Sequence, residues 1–411
     1  MRLVVTTEQR FDQTRDGSVW APGTFGYGFW ERYLEVFDQV VVIARVRTVE
    51  GATGNPVRSD GQSVDFVRVP YYVGPWEYLR SRSRLVHVMQ GAVRENAAVI
   101  MRVPSPIAST IYPALCKERQ PYGLEVIGDP QEVFAVGAVR HSLRPFFRWI
   151  VSRQMRRQCR VACGAAYVTR ETLQRRYPCL GYSMGVSESS LPLQTFVTSY
   201  SSIALDDSDF VGIPRPGKSG KGMNLVSVGS LEQMYKGPDV LIDAVRRIAQ
   251  DGVDARLVWL GDGKYRRSLE ARCAELGLDR RVSFRGHRPA GDAVRGELDK
   301  ADLFVLASRT EGLPRAMIEA MARGLPCIGS DVGGIPELLP PEDLVPPGSA
   351  EALAAKIREV VTSPERMARM SARNLATAKE YREEVLRERR IAFYRHVKEQ
   401  TEAWIRAKER R

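Results

Sequence analysis

Cysteine and histidine are scarce and scattered in this sequence. Its 411 residues include 6 cysteines, at Cys116, Cys159, Cys163, Cys179, Cys273 and Cys327, and 4 histidines. No Cys-x2-Cys pair occurs and no histidine groups with a cysteine. A zinc site is therefore not expected, and reduced thiols are. Long apolar runs are also missing, and none approaches the roughly 20 residues of a membrane helix. The start, Met1-Arg2-Leu3-Val4-Val5-Thr6-Thr7-Glu8, reaches charge too soon for a signal peptide. A cytoplasmic protein is expected, free or peripheral at the inner face of the membrane. Acid is absent from one stretch. Between Arg140 and Arg160 there are seven arginines and no Asp or Glu, interleaved with Phe146, Phe147 and Trp149.

What is present is a soluble globular composition, 44% hydrophobic and 27% charged, in a chain long enough for two domains. The net charge of +12 favours anionic partners: nucleotide-sugars, phosphorylated lipids, acidic membranes or nucleic acid. Arg2 to Thr7 reads as a first buried strand, followed by a long polar loop ending in Pro22-Gly23-Thr24-Phe25-Gly26-Tyr27-Gly28. A helix from Phe29 to Phe37 and a strand from Val40 to Ala44 complete a Rossmann-like opening. Further strands are expected at Val64 to Val69, Ala98 to Arg102 and Tyr122 to Ile127. Their carboxyl ends carry Arg102 and Gly128-Asp129-Pro130. Asp129 either accepts a bond from a substrate hydroxyl or caps the next helix. Glu125, mid-strand, needs a buried partner.

Leu205 to Gly222, with two prolines and four glycines, has linker composition. A second α/β series follows, with strands at Met223 to Val228, Arg256 to Leu260 and Val282 to Phe284. The expected division is residues 1–205, a linker at 206–222, a second domain at 223–380, and a final helix at 381–411 returning to the first domain. The fold class is α/β, with two Rossmann-like doubly wound domains.

The chemistry concentrates between Ser308 and Leu339. An apolar strand, Asp302 to Ala307, leads into Glu311-Gly312-Leu313-Pro314 and a helix from Arg315 to Arg323. Ligands of open α/β sheets bind at the carboxyl ends of strands. Glu311 then faces the pocket, and Glu319 lines its wall about two turns on. Carboxylates accept bonds from paired hydroxyls, so both a sugar and a ribose suit them. The backbone N–H groups of Gly312 and Leu313, near a helix start, suit a diphosphate.

This stretch, with Glu-Ala-Met-Ala, Gly-Leu-Pro and Val-Gly-Gly-Ile-Pro-Glu in order, resembles the E-x7-E signature of family-4 retaining glycosyltransferases. The resemblance implies the GT-B fold, with the two domains facing an interdomain cleft. It implies that Glu311 contacts the donor sugar, as the catalytic carboxylate, and Glu319 the ribose. Gly229-Ser230-Leu231 keeps the frame of the family's Gly-Arg-Leu loop, with Ser230 in place of the Arg. Lys236 matches the family's phosphate-binding lysine, and Arg315 either supplies the missing charge or is an outward, solvated residue. The loop at Gly286 and His287 matches the one that holds the nucleobase through its main chain. Gly26 lies in the loop that the family sets near the donor phosphates. Arg102 and Asp129 fall on the acceptor side, Asp129 standing nearest to where relatives carry a catalytic His.

The activity implied is metal-independent, retaining transfer of a sugar from a nucleotide-sugar, a UDP- or GDP-sugar, to an acceptor hydroxyl. No cofactor is expected. The acceptor is a carbohydrate or a lipid-linked glycan, in envelope polysaccharide or secondary-metabolite glycoside synthesis. The Arg140–Arg160 stretch is either an anionic membrane contact, which accompanies the lipid-linked case, or a solvated basic face, and nucleic acid is not expected as a partner. The competing readings are an epimerase or phosphorylase on the same fold, or a basic nucleic-acid- or membrane-binding protein without catalysis.

Overall fold

A computed structural model describes residues 1–411 except 24, 52–55, 94–95, 135–142, 182–194, 219–221, 290 and 411. The chain forms two compact units. The first comprises Met1–Asp129, Trp149–Tyr200 and Glu388–Arg411; the second comprises Pro130–Arg148 and Ser201–Arg387. The boundaries thus fall at Ser201 and Glu388, against the 206 and 381 read from sequence. Pro130–Arg148, read as part of the first domain, packs with the second. Arg140 lies outside the described residues.

The first unit holds β1 (Arg2–Gln13), β2 (Val19–Pro22), β3 (Gln39–Thr48), β4 (Pro56–Arg58), β5 (Val64–Val69), β6 (Ala98–Val103), β7 (Gly123–Val126), β8 (Gly164–Tyr167) and β9 (Phe196–Ser199). Its parallel strands run in the order β5-β3-β1-β6-β7-β8-β9. β6 is buried at all six positions, as a strand covered on both faces must be. The expected polar loop after Thr7 is instead mostly strand. β1 continues past an irregularity between Thr6 and Arg10, pairs with β3 through Gln13, and folds back on the antiparallel β2. Phe11, fully buried, anchors that extension.

The second unit holds β10 (Met223–Val228), β11 (Ala255–Leu260), β12 (Val282–Phe284), β13 (Leu303–Leu306), β14 (Cys327–Ser330) and β15 (Leu344–Val345). All are parallel, in the order β12-β11-β10-β13-β14-β15. The helix Pro238–Gln250 shows why the faces close. Proline sits in its first turn, and Leu241, Ala244, Val245 and Ile248 recur at helical spacing and join Leu225, Leu257 and Val305 in one core.

The last helix, Glu383–Glu409, belongs to the first unit from Glu388 onward. Phe393, Tyr394 and Val397 are fully buried there. A Cβ at Gly123 would lie 2.6 Å from Val397 and 2.9 Å from Phe393, so the missing side chain lets the helix press on β7.

Candidate functional site

In the second sheet the order reverses between β10 and β13, and the loops that leave their carboxyl ends flank the crevice where such sheets take ligands. These loops are fixed by backbone. Gly237 has φ +66°, and a Cβ there would lie 2.0 Å from the Ala307 carbonyl oxygen, a position only glycine fills. The Arg309 N–H donates to the Tyr235 carbonyl at 2.7 Å, and its guanidinium grips both Asp239 oxygens at 2.9 and 2.6 Å. On the far side, Gly334 N–H donates to the Gly312 carbonyl at 2.7 Å.

Into this frame the two loops each place a charged side chain. Lys236 Nζ donates to Glu311 Oε1, and Ser308 Oγ donates to the same oxygen at 2.8 Å. The pair is largely buried, with 15% of the Lys236 side chain and 7% of that of Glu311 exposed. An ammonium has three donors, so two remain beyond the bond to Glu311. Next to this pair, Thr310 Oγ1 donates to Glu132, carried on the short helix Pro130–Val133. Neither Ser308 nor Glu132 stood out in the sequence. Ser308 had a usable signal, since it follows a buried strand and stands three residues before the carboxylate it holds.

Pro314 caps the helix Arg315–Ala322 without a side-chain bond, and Gly312 and Leu313 are partly exposed just before it. Glu319 is partly buried on that helix. Burial pushes its carboxyl pKa up; Arg315 opposes the rise and Asp209 adds to it. Arg315 is exposed, as are Ser230 and His287. Ser230 Oγ accepts the Glu232 N–H at 3.2 Å. Gly286, at φ +70°, accepts the Gly261 N–H at 2.9 Å, which ties the loop after β12 to the loop after β11. The second unit thus joins Lys236 with Glu311 directly, and carries Arg315 and Glu319 one helix turn apart.

In the first unit the expected acceptor residues are occupied. Arg102 is 4% exposed and pairs with Glu125 at 3.1 Å. The hydroxyls of Tyr33, Tyr200 and Tyr394 also donate to Glu125, at 2.9, 2.9 and 3.2 Å. Burial opposes ionised Glu125, but Arg102, Arg32 and the Tyr200 and Tyr33 hydroxyls outweigh it and hold the carboxyl below its ordinary value. The guanidinium of Arg102 is thereby committed to a buried ion pair rather than presented to a substrate. Asp129, also buried, accepts from Tyr177 OH at 2.7 Å and from Arg176. Gly26 precedes the helix Tyr27–Leu34, where a Cβ would lie 3.2 Å from Val57. Glu8 was not singled out as a site residue. Its carboxylate accepts from Ser105 Oγ at 2.6 Å and from the Ile107 N–H at 3.0 Å, at the start of the helix Pro106–Glu118.

The expectation of no metal overlooks one Asp-x-Asp triplet, Asp207-Ser208-Asp209. Both of its acids have partners within the chain. Asp209 accepts the Asp206 N–H at 3.0 Å in a capping box and pairs with Arg295. Among the described residues no group of three His, Cys, Asp or Glu side chains is placed to hold a metal ion.

The architecture, two doubly wound parallel α/β units, is the GT-B fold. Anabaena Alr3699/HepE, solved in complex with UDP, superposes with a TM-score of 0.61 over 95% of this chain and 98% of its own, at 17% identity. Residues 213–376 match the family described as Glycosyl transferases group 1. Protein CapJ of Staphylococcus aureus is 25% identical over 347 residues, 82% of this chain and 81% of CapJ. The putative colanic acid biosynthesis glycosyltransferase WcaL of Salmonella typhimurium is 36% identical over 149 residues. That match spans 34% of this chain and about a third of WcaL, at 36%.

Proposed function

We propose that this protein is a retaining glycosyltransferase that moves a sugar from a UDP- or GDP-sugar to the hydroxyl of a carbohydrate or lipid-linked acceptor. The observation that carries the reading is the meeting of Lys236 and Glu311 at the switch point of the second sheet. The likeness of residues 213–376 to glycosyl transferases group 1, and WcaL's part in colanic acid biosynthesis, support it and favour an envelope polysaccharide as the product. HepE's complex with UDP favours a uridine donor.

In this reading Lys236 shares its ammonium between Glu311 and the donor diphosphate. Glu311 accepts from the sugar hydroxyls, and its second oxygen stays available for them. The N–H groups of Gly312 and Leu313 face the phosphates, and Glu319 accepts from the ribose. Arg315, exposed beside them, supplies the charge that Ser230 does not, and the main chain at Gly286 and His287 borders the base. Catalysis is positioning and charge stabilisation, the leaving diphosphate being neutralised by fixed donors rather than by a metal. Asp129 stays on the acceptor side as a positioning residue through Tyr177 and Arg176, and Arg102 supports the fold beneath it.

Thermal-shift screening with UDP-, GDP-, ADP- and dTDP-sugars tests the reading, since a ligand that binds only the folded state raises its melting temperature. One nucleotide-sugar class is expected to stabilise the protein. Proton NMR of the glycoside formed then reads the anomeric configuration. An inverted product, or no stabilisation by any nucleotide-sugar, overturns the proposal.

A further inference from the structure

The turn from Ser308 to Gly312, which carries Glu311, is tied down along its length. Ser308 and Lys236 donate to one oxygen of the Glu311 carboxylate. Arg309 is bonded through its N–H to the Tyr235 carbonyl, and through its guanidinium to Asp239 and the Met234 carbonyl. The Gly312 carbonyl takes the Gly334 N–H, and a Cβ at Gly333 would collide with the Glu311 carbonyl. These partners come from the loops after β10 and β14, the helix Pro238–Gln250 and the turn itself. Thr310 is the exception. Its hydroxyl donates to the Glu132 carboxylate, 178 positions earlier in the chain.

The two side chains meet away from bulk water. Thr310 is 5% exposed and Glu132 is partly buried. Glu132 is carried on Pro130–Val133, a single turn closed by the Phe134 N–H on the Pro130 carbonyl at 3.1 Å. That turn belongs to the segment that packs with the second unit. A hydroxyl given to a carboxylate makes a charge-assisted bond, stronger than a neutral one. Threonine is also stiff at its first side-chain torsion, so a fixed Oγ1 fixes the backbone of residue 310. The next peptide unit then sets the direction of Glu311. With one Glu311 oxygen committed to Lys236 and Ser308, that direction decides where the other oxygen points.

We infer that Glu132 is a positioning residue for the transfer reaction, which through Thr310 fixes the turn that aims the free oxygen of Glu311. The inference rests on the reading of Glu311 as the carboxylate that meets the donor sugar. A reacting group is only as well placed as the side chains that hold it. Gly312 has its own anchor in Gly334, so the diphosphate contacts assigned to the next N–H groups do not depend on Glu132. The effect of Glu132 therefore falls on the rate of transfer and not on nucleotide affinity.

The test compares Glu132→Ala, Glu132→Gln and Thr310→Val in the full chain. Thermal melts check that each is folded, and the isosteric Thr310→Val serves where Glu132→Ala is not. Hydrogen exchange in peptides covering residues 308–312 should rise in Glu132→Ala and Thr310→Val, and stay unchanged in β14. Both variants should lower kcat roughly tenfold to a hundredfold, as a small misplacement of a reacting group does. Calorimetry should find their affinity for UDP or GDP unchanged. Glu132→Gln keeps an oxygen for the Thr310 hydroxyl and should retain most of the rate. Because the two residues act through one bond, the double variant should be no slower than either single one. Wild-type rate and exchange in Glu132→Ala overturn the inference. So does a Glu132→Gln as slow as Glu132→Ala, which would mean that the charge itself acts on the substrate, and so do losses that multiply in the double variant. If the wild type binds no nucleotide-sugar, the proposed function falls and this inference with it; if the wild type and Glu132→Ala transfer sugar equally, the inference alone falls.

Discussion

Lys236 and Glu311 lie 75 residues apart in the chain and meet as a buried ion pair, with Ser308 holding the shared oxygen. Such a pair is more costly to break than to replace, because removing one partner strands the other in low dielectric. Lys236→Ala should therefore destabilise the second unit by roughly 3 kcal/mol at neutral pH. Denaturant melts read the effect, and Lys236→Ala with Glu311→Gln should recover much of the loss. Equal destabilisation by the single and the double variant would contradict this account.

Glu319 carries the opposite sign. Its folded carboxyl pKa is raised, by burial first, so its ionised form costs stability above the unfolded pKa and nothing below it. Glu319→Gln should raise stability slightly at neutral pH and not at acid pH. Nucleotide affinity should fall by roughly 1–3 kcal/mol if the carboxylate binds ribose hydroxyls. The wild-type affinity should decline as pH drops through the raised pKa, and the Gln variant should lack that decline. Calorimetry across pH decides it; a wild type and variant with parallel profiles would remove the ribose assignment.

The two cations of the proposed diphosphate site separate by ligand. Lys236→Ala and Arg315→Ala should each weaken UDP or GDP more than the free nucleoside. Arg315 is exposed, so its effect should shrink more with added salt. If Arg315→Ala binds both ligands as the wild type does, Arg315 is a solvated side chain with no part in the site.

Glu125 is the centre of the buried network in the first unit. Glu125→Leu leaves Arg102 buried beside three hydroxyls without a counter-charge, and should cost roughly 3–5 kcal/mol. Tyr394→Phe removes a single bond of 3.2 Å and should cost about 1 kcal/mol. Because Tyr394 sits on the last helix, hydrogen exchange in that helix should rise first. Unchanged protection there would mean that packing by Phe393 and Val397 alone holds the helix.

The motif half of the protein was the legible half. Glu-Gly-Leu-Pro after an apolar strand announces a ligand loop at a switch point, and Lys236 could be matched to it by frame. The first unit was harder to read. β8 is Gly-Ala-Ala-Tyr, too short and small to declare itself a strand, and it exists because Phe196 and the last helix cover it. The burial of Arg102 is not visible in the sequence, because a charged residue at a strand's end looks available. Its partner Glu125 lies on the neighbouring strand, in register with it, and pairing across strands is not visible along one. Asp209 escaped for the same reason, acting on Glu319 from more than a hundred positions earlier in the chain.

Glu8 settles a question of stoichiometry. Both units have the strand order that opens a crevice at a helix start, and a chain with two such crevices invites two anions. In the first unit that place is already taken by the chain's own carboxylate, bonded to Ser105 and the Ile107 N–H and paired with Arg45 at 3.1 Å. The repeated architecture is thus not a repeated binding capacity. A titration with nucleoside diphosphate should count one equivalent per chain, and Glu8→Ala is where a second would arise.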